Sequence, residues 1–244
     1  MTLKELQPTA IWRYFSEICT IPRPSKKEEQ VIAYLQKFGK EHGLETVVDA
    51  AGNVLIRKSA TAGYENHPTI IMQAHMDMVC EKNQDVQHDF AKEGIKLQVV
   101  GDLIKGTGTT LGADNGIAVA FALALLTSDL PHPALEVLIT SDEEMGMTGA
   151  LNLDGSHLKG KLMINLDTEE EGQIYVSCAG GARTDLELVE KVSAKDLFKK
   201  FLKKYLRSLD GAELLEGKQF HYDPENDEFL NSEIQEYYHL WSIA

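Results

Sequence analysis

The chain has 244 residues, of which 43% are hydrophobic and 25% are charged, and its net charge is −14. This composition is typical of one large or two small globular domains, and the acidic excess argues against a nucleic-acid surface, which needs a basic face. No run approaches the ~18 apolar residues of a membrane span, and the first residues lack the apolar core of a signal peptide. The three cysteines fit no disulfide or zinc spacing. We therefore predict a cytoplasmic protein with reduced thiols that binds neither nucleic acid nor membrane.

Two helices and a hairpin are predicted near the start of the chain. Apolar residues recur at helical spacing over residues 9–20. Ser25 and Glu28 have the spacing of a capping box, in which the serine oxygen accepts the Glu28 backbone N–H and the glutamate side chain reaches back, so a second helix is expected to follow. Residues 46–48 and 54–56 are short apolar runs on either side of an Ala-Gly-Asn turn, which predicts the hairpin.

Strands and helices alternate along the middle of the chain. An apolar run over residues 69–74 predicts a strand, and residues 94–112, rich in Gly and Thr, indicate a hairpin and a loop. Residues 114–127 are almost entirely apolar, which predicts a helix buried on all sides. Further apolar strands are predicted at 135–140 and 162–164. This alternation is typical of an α/β fold with a mostly parallel sheet flanked by helices.

Histidine and acidic residues stand where these strands end and where the apolar helix begins. They are His75 and Asp77, Asp114, residues 142–144, and Asp167. In open α/β sheets, sites form outside the carboxyl ends of the strands. Converging carboxylates repel one another unless a cation neutralises them or some take up protons. His75 can bind a metal through one ring nitrogen while Asp77 accepts the proton on the other, so the sequence predicts a metal site.

Several motifs follow one another in a fixed order: residues 21–25, 73–79, 106–116, 142–150, 165–170 and 178–181. In this order they resemble the metallopeptidases of the M20 family, and most closely the aminoacyl-histidine (Xaa-His) dipeptidases. The resemblance implies a zinc-peptidase-like catalytic domain over residues 1–183, incomplete and without the lid domain of the family. It leaves residues 184–244 as an atypical helical tail with no family match. An amphipathic stripe over residues 197–209 in this tail suits docking on the core.

The resemblance implies two zinc ions and assigns their ligands. His75 and Asp167 would bind the first ion, Asp114 would bridge both ions, and Glu144 would bind the second. The start of a helix also suits the Asp114 carboxylate, because the positive end of the helix dipole lies there. Five further histidines fall in predicted loops or at helix ends and are interpreted as surface residues: His42, His67, His88, His132 and His157.

The resemblance also assigns two catalytic residues. Glu143 would be the general base that takes a proton from the bridging water, and Asp77 would orient His75. Successive side chains diverge at the end of a strand, so Glu143 can face the water while Glu144 binds metal. Asn115 can serve as a helix cap, and in the family the peptide that joins it to the bridging aspartate is often cis.

The chain departs from the family after residue 181. Family members are much longer, carry a lid domain, and supply a further histidine ligand from near their C-terminus. The tail here offers only His221 and His239. Two hypotheses follow: a metal-dependent dipeptidase that acts on small peptides, or a truncated non-catalytic homologue that keeps the fold and at most one metal. The sequence leaves open whether a homodimer completes the site.

Overall fold

The computed structural model describes residues 5–168 and 172–177, together with the backbone of two short strands, Tyr222–Asp223 and Glu228–Phe229. The chain divides into two compact units, Met1–Val176 and Ser177–Ala244. In the second unit the two short strands pair antiparallel. The helix predicted over residues 197–209, with His221 and His239, lies outside the described residues. The domain boundary at residue 183 stays a prediction.

The helices and strands predicted for the first unit are present in the predicted order. Its described residues form the helices α1 (Thr9–Cys19), α2 (Glu29–Glu41), α3 (Ala113–Leu126) and α4 (Thr148–Leu151). They also form the strands β1 (Glu45–Val48), β2 (Val54–Lys58), β3 (Ile70–His75), β4 (Leu97–Val100), β5 (Leu103–Gly106), β6 (Leu135–Thr140) and β7 (Leu162–Asn165). The two strands of the second unit are β8 and β9. None of the described helices is long and apolar enough to cross a membrane.

A five-stranded sheet in the order β1-β2-β6-β3-β7 forms the centre of the first unit. Strand β3 runs parallel to both β6 and β7, with His75 opposite Thr140 and Gln73 opposite Asn165. Strands β1 and β2 are antiparallel additions at one side. The predicted α/β sheet is therefore present, parallel in its β6-β3-β7 half. The carboxyl ends of those three strands lie at one edge of the sheet.

The core lies mainly between one face of the sheet and the helices α1, α2 and α3. Alternate strand residues point into it, because side chains of a strand alternate between its two faces. The buried residues on this face include Val54, Ile56, Met72, Ala74, Val137 and Ile139, packed with Phe15, Leu35 and Leu123 from the helices. The intervening residues Leu55, Ile71 and Leu138 form a smaller cluster on the opposite face. Each large side chain buried in this way stabilises the fold by about 1.5–3 kcal/mol.

Helix α3 is the apolar helix of the sequence, and it packs against α1 and β3. Val119 and Leu123 are fully buried, whereas Phe121 is 42% exposed. The prediction of a helix buried on all sides is therefore wrong at Phe121. Helix α1 and strand β3 pack against the face of α3 that lies opposite Phe121. This packing fixes the start of α3 at the edge of the sheet where β3 ends.

The predicted capping box is wrong. Helix α2 begins at Glu29, and Glu28 at its N-cap makes no side-chain capping bond. The Ser25 hydroxyl instead donates to Asp77 Oδ2 at 2.7 Å. Glu28 Oε1 accepts the backbone N–H groups of Lys26 at 2.9 Å and of Asp142 at 3.0 Å. A hydrogen bond to an ionised carboxylate is about twice as strong as one between neutral groups. The Ser25 hydroxyl therefore bonds to the buried Asp77 carboxylate and does not cap the helix.

His132 is also not the surface residue that was predicted. Only 4% of it is exposed, its backbone N–H donates to Thr61 Oγ1, and its ring Nδ1 lies 2.6 Å from the Pro133 carbonyl oxygen. This histidine is a buried structural group in the turn into β6. His42, His67 and His157 are exposed as predicted, and His88 is half-buried.

Candidate metal centre

Three strand ends and one helix start bring the predicted site residues to one place. His75 is the last residue of β3, residues 142–144 follow β6, and Asp167 follows β7. Asp114 lies at the start of α3. Because β6, β3 and β7 are parallel neighbours, their carboxyl ends share one edge, and α3 begins above it.

Distances to the His75 ring measure how closely these side chains converge. Its Nε2 lies 3.0 Å from Asp114 Oδ1, 3.9 Å from Asp167 Oδ2 and 4.0 Å from Glu143 Oε2. One ligand atom from each of His75, Asp114 and Glu144 lies within 4.8 Å of the other two. The structure therefore brings all the predicted metal ligands, and Glu143, into one cluster.

Asp77 is fully buried beside this cluster and holds the loop after β6. Its Oδ1 accepts the backbone N–H of Glu143 at 3.0 Å, and its Oδ2 accepts that of Glu144 at 3.2 Å. His75 Nδ1 lies 3.3 Å from Asp77 Oδ1, an ion-pair contact without the alignment of a hydrogen bond. One carboxylate thus faces the histidine and positions both glutamates through their backbone.

The pKa of Asp77 lies well below its ordinary value. Burial by itself raises this pKa, but the His75 ring, the Ser25 hydroxyl and the two backbone N–H groups outweigh burial and lower the pKa to about 2. Hydrogen bonds to the charged form favour ionisation in this way. Asp77 is therefore a carboxylate at neutral pH.

The pKa of His75 is raised to about 9. Burial alone lowers the pKa of this ring, but the contact with Asp77 and the charges of Asp77, Asp167 and Asp114 outweigh burial. At neutral pH this raised pKa favours a ring protonated on both nitrogens in the metal-free protein. A cation bound between these acidic groups would replace the proton on Nε2, and the carboxylate of Asp77 would keep the proton on Nδ1 and so fix the tautomer.

The two glutamates after β6 have raised pKa values. For Glu143, burial raises the pKa, the positive ring of His75 opposes this, and the charges of Asp167, Asp77 and Asp114 raise it further. For Glu144, burial raises the pKa and the charge of Asp114 adds to it. The Glu143 side chain is 30% exposed, so it can reach both the cluster and the solvent. A carboxylate of raised pKa is the form that general bases take.

Asn115 is a site residue whose role sequence reasoning missed. Its Oδ1 accepts the backbone N–H of His75 at 3.1 Å, and its Nδ2 donates to the Leu166 carbonyl at 3.3 Å and to Asp167 Oδ1 at 3.0 Å. The side chain makes no helix cap and instead ties the ends of β3 and β7 together. The Asp114–Asn115 peptide is cis, as the family resemblance implies.

A second group of carboxylates lies at the start of the same loop. Glu28, Asp77 and Asp142 are buried, and one oxygen of each lies within 4.8 Å of the others. Asp142 has a φ of 46°, and its Oδ1 has no hydrogen-bond partner among the described residues. The bond from the Asp142 N–H to Glu28 holds this turn. The group shapes the loop that carries Glu143, a role that the sequence did not reveal.

The donor set fits a zinc ion. Zinc binds histidine nitrogen and carboxylate oxygen at about 2.0–2.2 Å, which places neighbouring donor atoms roughly 3–4 Å apart. The distances from His75 Nε2 to Asp114 and Asp167 are 3.0 and 3.9 Å. In the part of the chain that the structure describes, no lysine or arginine forms an ion pair with Asp114, Glu143 or Glu144. A second ion held by Asp114 and Glu144 would have two protein ligands among the described residues, whereas catalytic zinc usually has three.

Comparisons with known proteins identify relatives of this chain. The model of the peptidase family M20/M25/M40 matches residues 71–224. The cytosol non-specific dipeptidase of Escherichia coli is 50% identical over 180 residues, which are 73% of this chain and 37% of that protein. The chain spans between 30% and 48% of the length of the curated relatives it matches.

Two solved structures share the fold. The aminoacylhistidine dipeptidase of Vibrio alginolyticus superposes with a TM-score of 0.69 at 45% identity, over 70% of this chain and 35% of that one. The aminopeptidase PepT of Bacillus cereus superposes with a TM-score of 0.56 at 26% identity, over 66% and 43% of the two chains. The family match extends over more than half of the residues and includes every residue of the cluster. The chain belongs to the peptidase family M20/M25/M40.

Proposed function

We propose that the chain carries the metal-dependent catalytic site of a dipeptidase, which hydrolyses dipeptides with a water molecule activated between two zinc ions. The convergence of His75, Asp114 and Glu144 within 4.8 Å carries this proposal. The names of two relatives support the substrate class: one is a non-specific dipeptidase and the other an aminoacylhistidine dipeptidase. We infer dipeptides, including those of the Xaa-His type, as substrates and the cytoplasm as the location.

Four side chains would hold the ions in this proposal. His75 and Asp167 would bind the first ion, Asp114 both ions, and Glu144 the second. Bound zinc supplies Lewis acidity, which polarises a carbonyl group and brings the pKa of water to about 7. The third ligand of the second ion would come from outside the described residues or from a second subunit. We retain 1–183 as the extent of the catalytic domain.

Glu143 would move the proton. Its backbone N–H donates to Asp77 Oδ1, and its carboxylate oxygen Oε2 lies 4.0 Å from His75 Nε2. In this position it would take a proton from the attacking water as the water oxygen bonds to the peptide carbonyl carbon. It would then pass that proton to the amine nitrogen as the C–N bond breaks. Its raised pKa suits both steps.

Zinc content and turnover of the full chain test the proposal together. The protein is equilibrated with zinc, passed through a desalting column, and assayed for bound zinc and for amino acid release from dipeptides with and without a C-terminal histidine. Two ions and turnover that Glu143→Gln removes support the proposal. One ion or none, without turnover, contradicts it and favours the truncated non-catalytic homologue.

A further inference from the structure

Arg23 is an almost fully buried arginine beneath the metal centre. Only 2% of it is exposed. Its Nη1 donates to the carbonyl oxygens of Met76 at 2.9 Å and Asp77 at 3.0 Å, and its Nη2 donates to the carbonyl oxygen of Gly112. One guanidinium group thus joins the residues that follow β3 to the residue that precedes α3. These two segments carry His75 and Asp114.

Two glycines leave room for this guanidinium group. A Cβ atom at Gly112 would lie 2.5 Å from Arg23 Nη2, and one at Gly116 would lie 2.7 Å from the same atom. Gly112 also has a φ of 67°, which disfavours any side chain. At Gly116 the next contact outside Arg23 is Phe15 at 3.5 Å, an ordinary van der Waals distance. Arg23 therefore accounts for the glycine at 116.

The residues next to Arg23 hold the same strand end. Pro24 forms a parallel bridge with Met78, and Ser25 donates to Asp77 Oδ2 at 2.7 Å. The segment of residues 23–25 therefore contacts the backbone of residues 76–78 and the carboxylate of Asp77. Residues 21–25 form one of the motifs that carry the family resemblance, and among residues 23–25 the sequence suggested a role only for Ser25, as a helix cap.

We propose that Arg23 is a positioning residue of the metal centre, because it fixes the end of β3 relative to the start of α3. Its hydrogen bonds go to backbone carbonyl groups and not to the side chains of His75, Asp114 or Glu144, so it acts on His75 and Asp114 through the backbone to which they are attached. The existence of a metal site is taken from the proposed function, and the inference rests on it in that respect. The backbone geometry on which it depends can be measured without metal.

Zinc affinity is the first test. Arg23→Lys keeps the charge but cannot reach three carbonyls from one planar group, and Arg23→Met removes the charge as well. The matched control is Arg57→Met, because Arg57 is also largely buried but pairs with Glu136, near the other end of β6. Competition with a chromophoric chelator should show zinc binding weakened about 10- to 100-fold in both Arg23 variants and unchanged in Arg57→Met. Unchanged affinity in both Arg23 variants overturns the proposal.

Amide hydrogen exchange in the metal-free protein is the second test. The Met76 N–H bonds to the Thr140 carbonyl, and the Gly116 N–H bonds to the Gly112 carbonyl, so both amides report on the joined segments. Loss of the Arg23 bonds should speed their exchange about tenfold relative to the amides of α2, and Arg57→Met should not. Wild-type exchange rates in Arg23→Met overturn the inference. Absence of zinc from the wild-type protein contradicts the proposed function, and the exchange comparison still decides the role of Arg23.

A double-mutant cycle tests the close approach of Gly116 to Arg23, and Arg23→Lys is the variant for the first two tests if Arg23→Met unfolds. Gly116→Ala should lower the Tm of the wild-type protein, because the new Cβ displaces the guanidinium group. In the Arg23→Ala background the same substitution should leave the Tm unchanged or raise it, since alanine is the better helix former. An equal loss of Tm in both backgrounds would show that Gly116 does not accommodate Arg23, and would overturn this part of the inference.

Discussion

Asp77 Oδ1 accepts the backbone N–H of Glu143 at 3.0 Å, so the residue that faces the histidine also fixes the proposed base. The two residues come from the ends of neighbouring strands, β3 and β6. Any change at Asp77 therefore acts on His75 through the ring and on Glu143 through the loop. The hydrogen bonds of Asp77 therefore join the end of β3 to the loop that carries Glu143 and Glu144.

Asp77→Asn should weaken zinc binding about 10- to 100-fold, the usual effect of removing a carboxylate that orients a ligand histidine. An amide has one acceptor oxygen, so it cannot accept both the Glu143 and the Glu144 N–H groups while facing His75. Chelator competition measures the affinity. Asp154→Asn is the control, because Asp154 also accepts a backbone N–H, that of Ser156, at an exposed turn. Equal zinc affinity in Asp77→Asn and in this control would show that Asp77 does not orient the ligand histidine.

Glu143→Gln should keep the bound zinc and lose most of the hydrolysis. A general base contributes about 10²–10⁴-fold to the rate, so kcat should fall by that factor with little change in metal content. Glu144→Gln is the matched comparison, since it alters the neighbouring carboxylate that we propose as a ligand and should lose zinc. Turnover at the wild-type rate in Glu143→Gln, with full metal content, would exclude Glu143 as the base.

The positions of the proposed ligands could be predicted from the sequence, because each ligand is a polar residue that ends or closely follows an apolar strand, or opens an apolar helix. The apolar run that forms β3 ends on His75, and in a parallel sheet that end lies beside the ends of β6 and β7. Hydrophobic periodicity locates each strand, and the polar residue that follows it identifies the edge. Asp114 was recognisable as the polar residue that opens an apolar helix.

The residues that support the site could not be predicted in this way. Ser25 and Glu28 have the local spacing of a capping box, but their partners Asp77 and Asp142 are 52 and 114 positions away. Arg23 likewise bonds to carbonyl groups that belong to two distant segments. A single sequence carries local propensity and little information on such pairs, and a bond to a buried carboxylate outweighs a local cap.

Acid stability should depend on Glu136, which is buried with Arg57 away from the metal centre. Its Oε1 accepts Arg57 Nε at 3.0 Å, and its Oε2 accepts the Lys159 and Gly160 N–H groups. Burial alone raises the pKa of Glu136, but these donors outweigh burial and lower it below 4.5. Because the folded-state pKa is depressed, the stabilisation is present above pH 4.5 and is lost as the pH falls through the folded-state value.

Glu136→Gln should therefore lower the free energy of unfolding at pH 7 and reduce its dependence on pH below 4.5. Urea unfolding of the metal-free protein at several pH values measures both effects. Glu93→Gln is the control, because Glu93 lies at an exposed turn and should leave the acid profile unchanged. An acid profile of Glu136→Gln identical to that of the wild type would contradict the assignment.

Asn115→Ala should destabilise the protein and weaken the metal site together. The substitution leaves the buried N–H of His75 without its acceptor and removes the donor to Asp167 Oδ1. A buried donor left without a partner costs about 1–3 kcal/mol, and the ends of β3 and β7 lose a side chain that joins them. Urea unfolding measures the loss of stability in the metal-free protein, and chelator competition measures zinc affinity. Asn152→Ala is the control, since Asn152 bonds only to the Thr148 carbonyl at an exposed helix end and should change the unfolding free energy by less than about 0.5 kcal/mol. A loss of stability in Asn115→Ala with wild-type zinc affinity would show that this residue supports the fold without positioning the ligands.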